Sequence, residues 1–163
     1  MFALRRTRRN LLFSKFHPRA SVPTIFDIDF EYLWKEGKRA LIFDLDRTLA
    51  AGRRANLHPK VYRLLSSLQE RGFAVAILTN RHFQVKRDQV IADLAQNYPL
   101  IYAAGKPGKK GFLTLMAKMN ATPADTVMIG DRLLTDIWGA NRLGIYSIRI
   151  VSKSRVIRKP GTR

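Results

Sequence analysis

Seven polar residues in four clusters hold the chemistry this sequence offers. Asp44 and Asp46 stand in Asp44-Leu45-Asp46-Arg47-Thr48-Leu49, and Thr79-Asn80-Arg81 follows farther along. Gly105-Lys106-Pro107 supplies a lysine, and Gly130-Asp131 with Thr135-Asp136 supplies a second carboxylate pair. Carboxylate pairs, a hydroxyl and a lysine suit phosphoryl transfer. One carboxylate can attack phosphorus to form an aspartyl-phosphate, splitting one difficult displacement into two easier ones. A second, two residues on, can protonate the leaving oxygen and later deprotonate water. Crowded carboxylates repel one another unless a cation joins them. Hard oxygen ligands suit Mg²⁺, which keeps waters and shares the substrate phosphate. The lysine and hydroxyl would neutralise the equatorial oxygens, where transition-state charge resides.

Each cluster taken singly has a plainer reading. Asp44 and Asp46 could belong to a turn or a helix cap, and Thr79 is a ready helix N-cap. Lys106 before a proline reads as a loop lysine, Gly130-Asp131 as a common turn, and Asp136 as a capping residue. The four clusters in order, each directly after a strand, outweigh those readings.

The elements that would position them alternate along the chain. Ala40–Phe43, 73–78, 100–103, 126–129 and 145–151 are short apolar runs, too short for helices and free of alternation, as in buried parallel strands. Between them lie helical patterns. Pro59 opens one that continues through Val61, Leu64, Leu65 and Leu68 to Gly72. Thr79 and Asn80 are placed to cap the next, with Val85, Val90, Ile91 and Leu94 on its buried side. Phe112, Leu115, Met116 and Met119 mark a third, and a fourth runs through Ile137 and Trp138 to Gly144, a residue suited to a left-handed cap. This rhythm predicts an α/β fold: an open parallel sheet of about five strands with helices on both faces. Ligands bind beyond the carboxyl ends of such strands, where the polar clusters fall.

Composition sets further bounds. The chain has 163 residues, enough for one domain burying roughly 70% of its unfolded surface. It has no Cys, which excludes disulfides, thiolate zinc sites and cysteine nucleophiles. No apolar run approaches the roughly 18 residues of a membrane span. Net charge is +18, and segments 1–20 and 149–163 each carry six Lys or Arg and no acid, together twelve of those positives. A polycation of this kind favours an anionic partner, either nucleic acid or a membrane surface. The expected organisation is a basic N-terminal segment (1–20), a catalytic domain (21–151) and a basic C-terminal tail (152–163). Segment 1–16 mixes Arg pairs with Phe and Leu. An amphipathic or polybasic membrane-surface segment fits it best, ahead of a mitochondrial presequence or a solvated basic terminus. Its apolar stretch is too short for a secretory signal.

The motifs Asp44-Leu45-Asp46-Arg47-Thr48-Leu49, Leu78-Thr79-Asn80-Arg81, Gly105-Lys106-Pro107-Gly108 and Ile129-Gly130-Asp131-Arg132-Leu133-Leu134-Thr135-Asp136 resemble the four signatures of the haloacid dehalogenase (HAD) phosphatase superfamily. The match is closest to subclass IIIA, the YqeG-like phosphatases, which include phosphatidylglycerophosphate phosphatases of bacteria and mitochondria. Residues 12–16, Pro18 and Ile25-Phe26-Asp27-Ile28 resemble that branch's lead-in, and Asn141-Arg142 with Gly144 its long fourth motif. The resemblance implies a HAD-like Rossmannoid fold with Asp44 as nucleophile and Asp46 as general acid/base. It implies that Thr79, Asn80 and Lys106 hold phosphate. It also implies a Mg²⁺ site made by Asp44, the Asp46 main-chain carbonyl and Asp131, with Asp136 orienting the metal shell. Two departures stand beside the site: Arg47 where the branch usually has Asn, and Arg132 where it often has Gln. Both add positive charge and bear on headgroup preference. Segments 49–58 and 81–105 leave no room for a cap domain, so the site should be open.

The leading expectation is a Mg²⁺-dependent phosphatidylglycerophosphate phosphatase held on anionic membrane by its basic tails. Its place would be the cytoplasmic, inner face of the membrane, or alternatively the mitochondrial matrix. A phosphatase of a soluble phosphomonoester or a nucleic-acid terminal phosphate is the alternative, though no aromatic-interleaved basic motif for stacking bases is evident. A non-enzymatic basic scaffold on nucleic acid or ribosomes would leave the acidic constellation unexplained.

Overall fold

Strands without a polar face must be covered on both sides, and two such strands form the centre of the fold. Every residue of β2 (Ala40–Phe43) and β5 (Thr126–Gly130) is buried, and the two pair in parallel with Phe43 opposite Ile129. The computed structural model describes residues 14–52, 55–82 and 88–151. Around the central pair lie β3 (Ala74–Leu78), β4 (Leu100–Ile101), β6 (Tyr146–Ile150) and an edge strand β1 (Ala20–Val22), in the order β1-β6-β5-β2-β3-β4. All pairings are parallel.

The period of two along the strands divides the core. Leu41, Phe43, Val75, Ile77, Val127 and Ile129 face one layer. There α1 (Phe30–Lys35), α2 (Pro59–Glu70) and α3 (Gln89–Asn97) cover them with Leu33, Leu65, Leu68, Ile91 and Leu94. Ile42, Ala76, Leu78 and Met128 face the other layer, where Phe112, Leu115 and Met116 of α4 (Lys109–Lys118) and Ala140 of α5 (Gly139–Asn141) meet them. The fold is the expected open sheet with helices on both faces. Between Asp44 and His58 the described residues form turns and one isolated bridge, Asp46 with Ala50, and no cap.

The structure departs from the sequence expectations in several places. The sheet has six strands rather than about five, because Ala20–Val22 pairs with β6, Ala20 lying opposite Ile148. Thr79 and Asn80 do not cap the next helix: α3 begins at Gln89, after Asp88. Both residues are occupied at the sheet edge instead, and Val85 lies outside the described residues. The strand expected over 100–103 ends at Ile101, since Ala103 adopts φ 44° and turns the chain. The last helical segment opens as a π-helical turn (Leu133–Trp138) before α5, and Gly144 takes φ 80° as the left-handed stop. Asn141 of α5 donates to the carbonyls of Lys15 and His17, and Phe16 stacks on Trp138, so residues 15–17 pack against this helix. Segments 1–13 and 152–163, which carry most of the two basic tails, lie outside the described residues. Among the described residues, no helix is long and apolar enough to cross a membrane.

Candidate active site

Strand order puts the reacting groups together. The chain runs outward from β2 to β3 and β4, then returns to the other side of β2 as β5, which creates the switch point where parallel sheets bind ligands. Asp44 follows β2 and Asp131 follows β5, so the two carboxylates leave neighbouring strands side by side. The Asp44 N–H donates to the Ile129 carbonyl at 2.9 Å, which extends the ladder by one residue and fixes the side chain's exit. Asp136 joins them from the π-helical turn. Carboxylate oxygens of Asp44, Asp131 and Asp136, all buried, lie within 4.8 Å of one another. Gly130 makes this approach possible, because a Cβ there would sit 2.4 Å from Asp136 Oδ2.

Lys106 enters between the carboxylates. Its ammonium donates to Asp44 Oδ1 at 2.7 Å and to Asp136 Oδ1 at 2.6 Å, and the side chain is buried. Burial works against the lysine's charge, but Asp44 and Asp136 outweigh it and hold the ammonium above its ordinary value. Asp44 behaves in the opposite way. Burial pushes its carboxyl up to about 7, with Asp136 and Asp131 adding to the rise and Lys106 opposing it. An ion in this cluster would relieve that repulsion.

Asn80, expected to hold phosphate, directs its side chain elsewhere. Its Oδ1 accepts from the Lys106 N–H at 2.8 Å, and its Nδ2 donates to the Lys106 carbonyl at 2.9 Å. The amide therefore clamps the main chain that presents the lysine. Thr79 is buried at the end of β3, and its hydroxyl accepts from the Arg81 N–H at 3.1 Å.

Asp46 stands apart from the three-carboxylate cluster, paired with Arg81. The guanidinium reaches Asp46 Oδ1 with one nitrogen and Oδ2 with Nε at 3.4 Å, while its other nitrogen donates to Asp88 Oδ1 at 2.7 Å. Burial opposes this charge, but the hydrogen bonds to Asp46 and Asp88 hold the guanidinium above its ordinary value. Arg81 and Asp88 carry no role in the sequence reading. Their only signal was an arginine beside Thr79-Asn80 with an acid seven residues on. Toward an ion, the resemblance asks of Asp46 only its main-chain carbonyl.

The metal assignment fits the donor set. The oxygens are hard, and they crowd more negative charge than one lysine balances. Asp136 is already committed, since Oδ1 accepts from Lys106 and Oδ2 from the Arg132 N–H at 3.1 Å. Asp44 and Asp131 could hold an ion directly, with Asp136 orienting its neighbours. Beside Asp131 opens a cleft of about 760 Å³, lined in part by Thr48, Arg47 and Arg149.

Comparison with known proteins agrees with this geometry. Residues 12–144 match the haloacid dehalogenase-like hydrolases, and the chain belongs to that family. It is 35% identical over 136 residues to the "Probable phosphatase YqeG" of Bacillus subtilis, covering 83% of this chain and 77% of that protein. It is 25% identical over 139 residues to the chloroplastic phosphatidylglycerophosphate phosphatase 1 of Chlamydomonas reinhardtii, covering 82% of this chain and 52% of that one. In fold it is similar to the cobalt-bound deoxy-D-mannose-octulosonate 8-phosphate phosphatase YrbI of Haemophilus influenzae, with a TM-score of 0.50 and 23% identity, covering 59% of this chain and 60% of the other. The protein is a phosphatase of this family.

Proposed function

We propose that the protein is a Mg²⁺-dependent phosphatidylglycerophosphate phosphatase that acts through an aspartyl-phosphate at the inner face of an anionic membrane. The observation that carries the chemistry is the convergence of Asp44, Asp131, Asp136 and Lys106 at one sheet edge. The substrate reading draws on the likeness to the chloroplastic enzyme, on the capless, open edge and on the net charge of +18. Mg²⁺ held by Asp44 and Asp131 would supply neutralisation of the phosphate charge.

In the first step an Asp44 carboxylate oxygen bonds to phosphorus while the phosphorus–alcohol oxygen bond breaks. The leaving alkoxide takes a proton from Asp46. In the second, Asp46 removes a proton from water as that water attacks phosphorus, and the Asp44–phosphorus bond breaks to release phosphate. Lys106, held by Asn80 and Asp136, keeps its ammonium on Asp44 and beside the equatorial oxygens. Arg81 grips the ionised Asp46; to deliver its proton Asp46 turns one oxygen away from the guanidinium, which keeps the other.

A phosphate-release panel with Mg²⁺ tests this reading. Phosphatidylglycerophosphate in mixed micelles should be hydrolysed faster than mononucleotides or 3′- or 5′-phosphorylated oligonucleotides. Faster release from the oligonucleotides would replace it with the nucleic-acid alternative. The membrane part is tested by co-sedimentation, where anionic vesicles should bind the protein and neutral ones should not.

A further inference from the structure

The cleft beside Asp131 offers chemistry that phosphoryl transfer itself does not use. Its volume, about 760 Å³, falls within the roughly 300–1,000 Å³ of pockets that take small ligands. Asp131 and Thr48 are part of its lining, and the Thr48 hydroxyl lies 3.5 Å from Asp44 Oδ2, so it adjoins the reacting groups. Its wall combines Phe26, Leu49, Val61 and Ile150 with two arginines, Arg47 and Arg149, and among the described lining residues Asp131 is the only acid. Arg149 is anchored by Nε on the Asp131 carbonyl at 3.3 Å. Arg47 adopts φ 61°, a conformation that Asn or Gly accepts more readily than Arg. Phe26 is 52% exposed at the same cleft.

Building on the amphiphilic phosphomonoester reading above, we propose that this cleft holds the alcohol portion of the substrate. It selects alcohols that carry a second anionic group, taken by Arg47 and Arg149, followed by an apolar portion along Phe26 and Ile150. Guanidinium forks match phosphate oxygens and retain that preference at a partly wet surface. A phospholipid headgroup and a soluble two-phosphate ester share this chemistry, and the test separates them.

The full chain is assayed with Mg²⁺ as wild type, Arg47→Asn, Arg149→Gln and Phe26→Ser. The substrates are phosphatidylglycerophosphate in mixed micelles, its deacylated water-soluble counterpart, and p-nitrophenyl phosphate. The wild type should prefer the deacylated two-phosphate ester to p-nitrophenyl phosphate in kcat/KM. Each arginine variant should lower that preference about tenfold, the scale of one charged hydrogen bond. Phe26→Ser should lower the preference for the lipid over its deacylated counterpart. Arg47→Asn suits the left-handed turn, so an altered ratio in that variant is not a folding defect. A wild type with no preference for the second phosphate, or arginine variants that slow all substrates equally, overturns the cleft assignment. A wild type that selects the soluble two-phosphate ester but ignores the lipid keeps the cleft assignment and overturns the lipid reading.

Discussion

The Arg81 guanidinium holds both oxygens of Asp46 and, through its remaining nitrogen, Asp88 at the residue just before α3. Arg81 is only 6% exposed, so the residue that orients Asp46, the carboxylate proposed as acid and base, is itself locked by packing. Replacing it with Met should leave Asp46 without a fixed direction and two carboxylates uncompensated. Losing one member of a buried pair costs about 3–5 kcal/mol, and partial exposure of both carboxylates puts this case at the low end. The expected outcome is a lower Tm together with a larger fall in kcat than rise in KM. Arg81→Lys should recover stability better than kcat, since one ammonium cannot span the three contacts. Thermal melts and steady-state kinetics on the two variants check this.

Gly130→Ala should displace Asp136, because the added methyl would fall 2.4 Å from its Oδ2. Overpacking of this kind costs about 1–3 kcal/mol. Because Asp136 orients Lys106 and its neighbours, the Mg²⁺ concentration for half-maximal activity should rise by about 10–100-fold. A Mg²⁺ titration of activity measures it.

Asp44 gives a pH dependence with a defined sign. Its carboxyl rises from 3.8 to about 7 on folding, chiefly through burial. Between those values the folded state binds more protons than the unfolded one, so this group's contribution makes stability fall as pH rises. In chelator, Tm should decline from about pH 5 to 7.5 more steeply than in Asp44→Asn. With Mg²⁺ the decline should flatten, since the cation favours the ionised carboxylate. Melts across pH, with and without Mg²⁺, make the comparison.

Arg47 sits at φ 61°, where most side chains are strained by about 1 kcal/mol and Asn is tolerated. Arg47→Asn should therefore raise stability by up to about 1 kcal/mol, or roughly 2–4 °C in Tm for a chain of this size. Calorimetry reads this directly.

What was legible in the sequence follows from range. Asp44, Thr79, Lys106 and Asp131 were visible because each follows an apolar run whose identity as a buried strand is local. The edge strand Ala20–Val22 was not: its three residues carry no periodicity and owe their conformation to β6, more than a hundred residues away. Asn80 illustrates the same limit. Its residue type fits a phosphate ligand or a cap, but its partner is the main chain of Lys106, 26 residues on. Arg81 stands in its motif without a visible role, since nothing local shows that Asp46 and Asp88 flank it. Gly130 read as a turn glycine, and only the packed position of Asp136 explains why a side chain there is excluded.

The account turns on Asp44 as the group that bonds to phosphorus, and phosphate release by folded Asp44→Asn protein with Mg²⁺ tests it most directly. The amide has nearly the shape of the protonated carboxyl, so circular dichroism should match the wild type. Turnover should fall to background, because an amide is a poor nucleophile. Near-wild-type phosphate release from that folded variant would contradict the account.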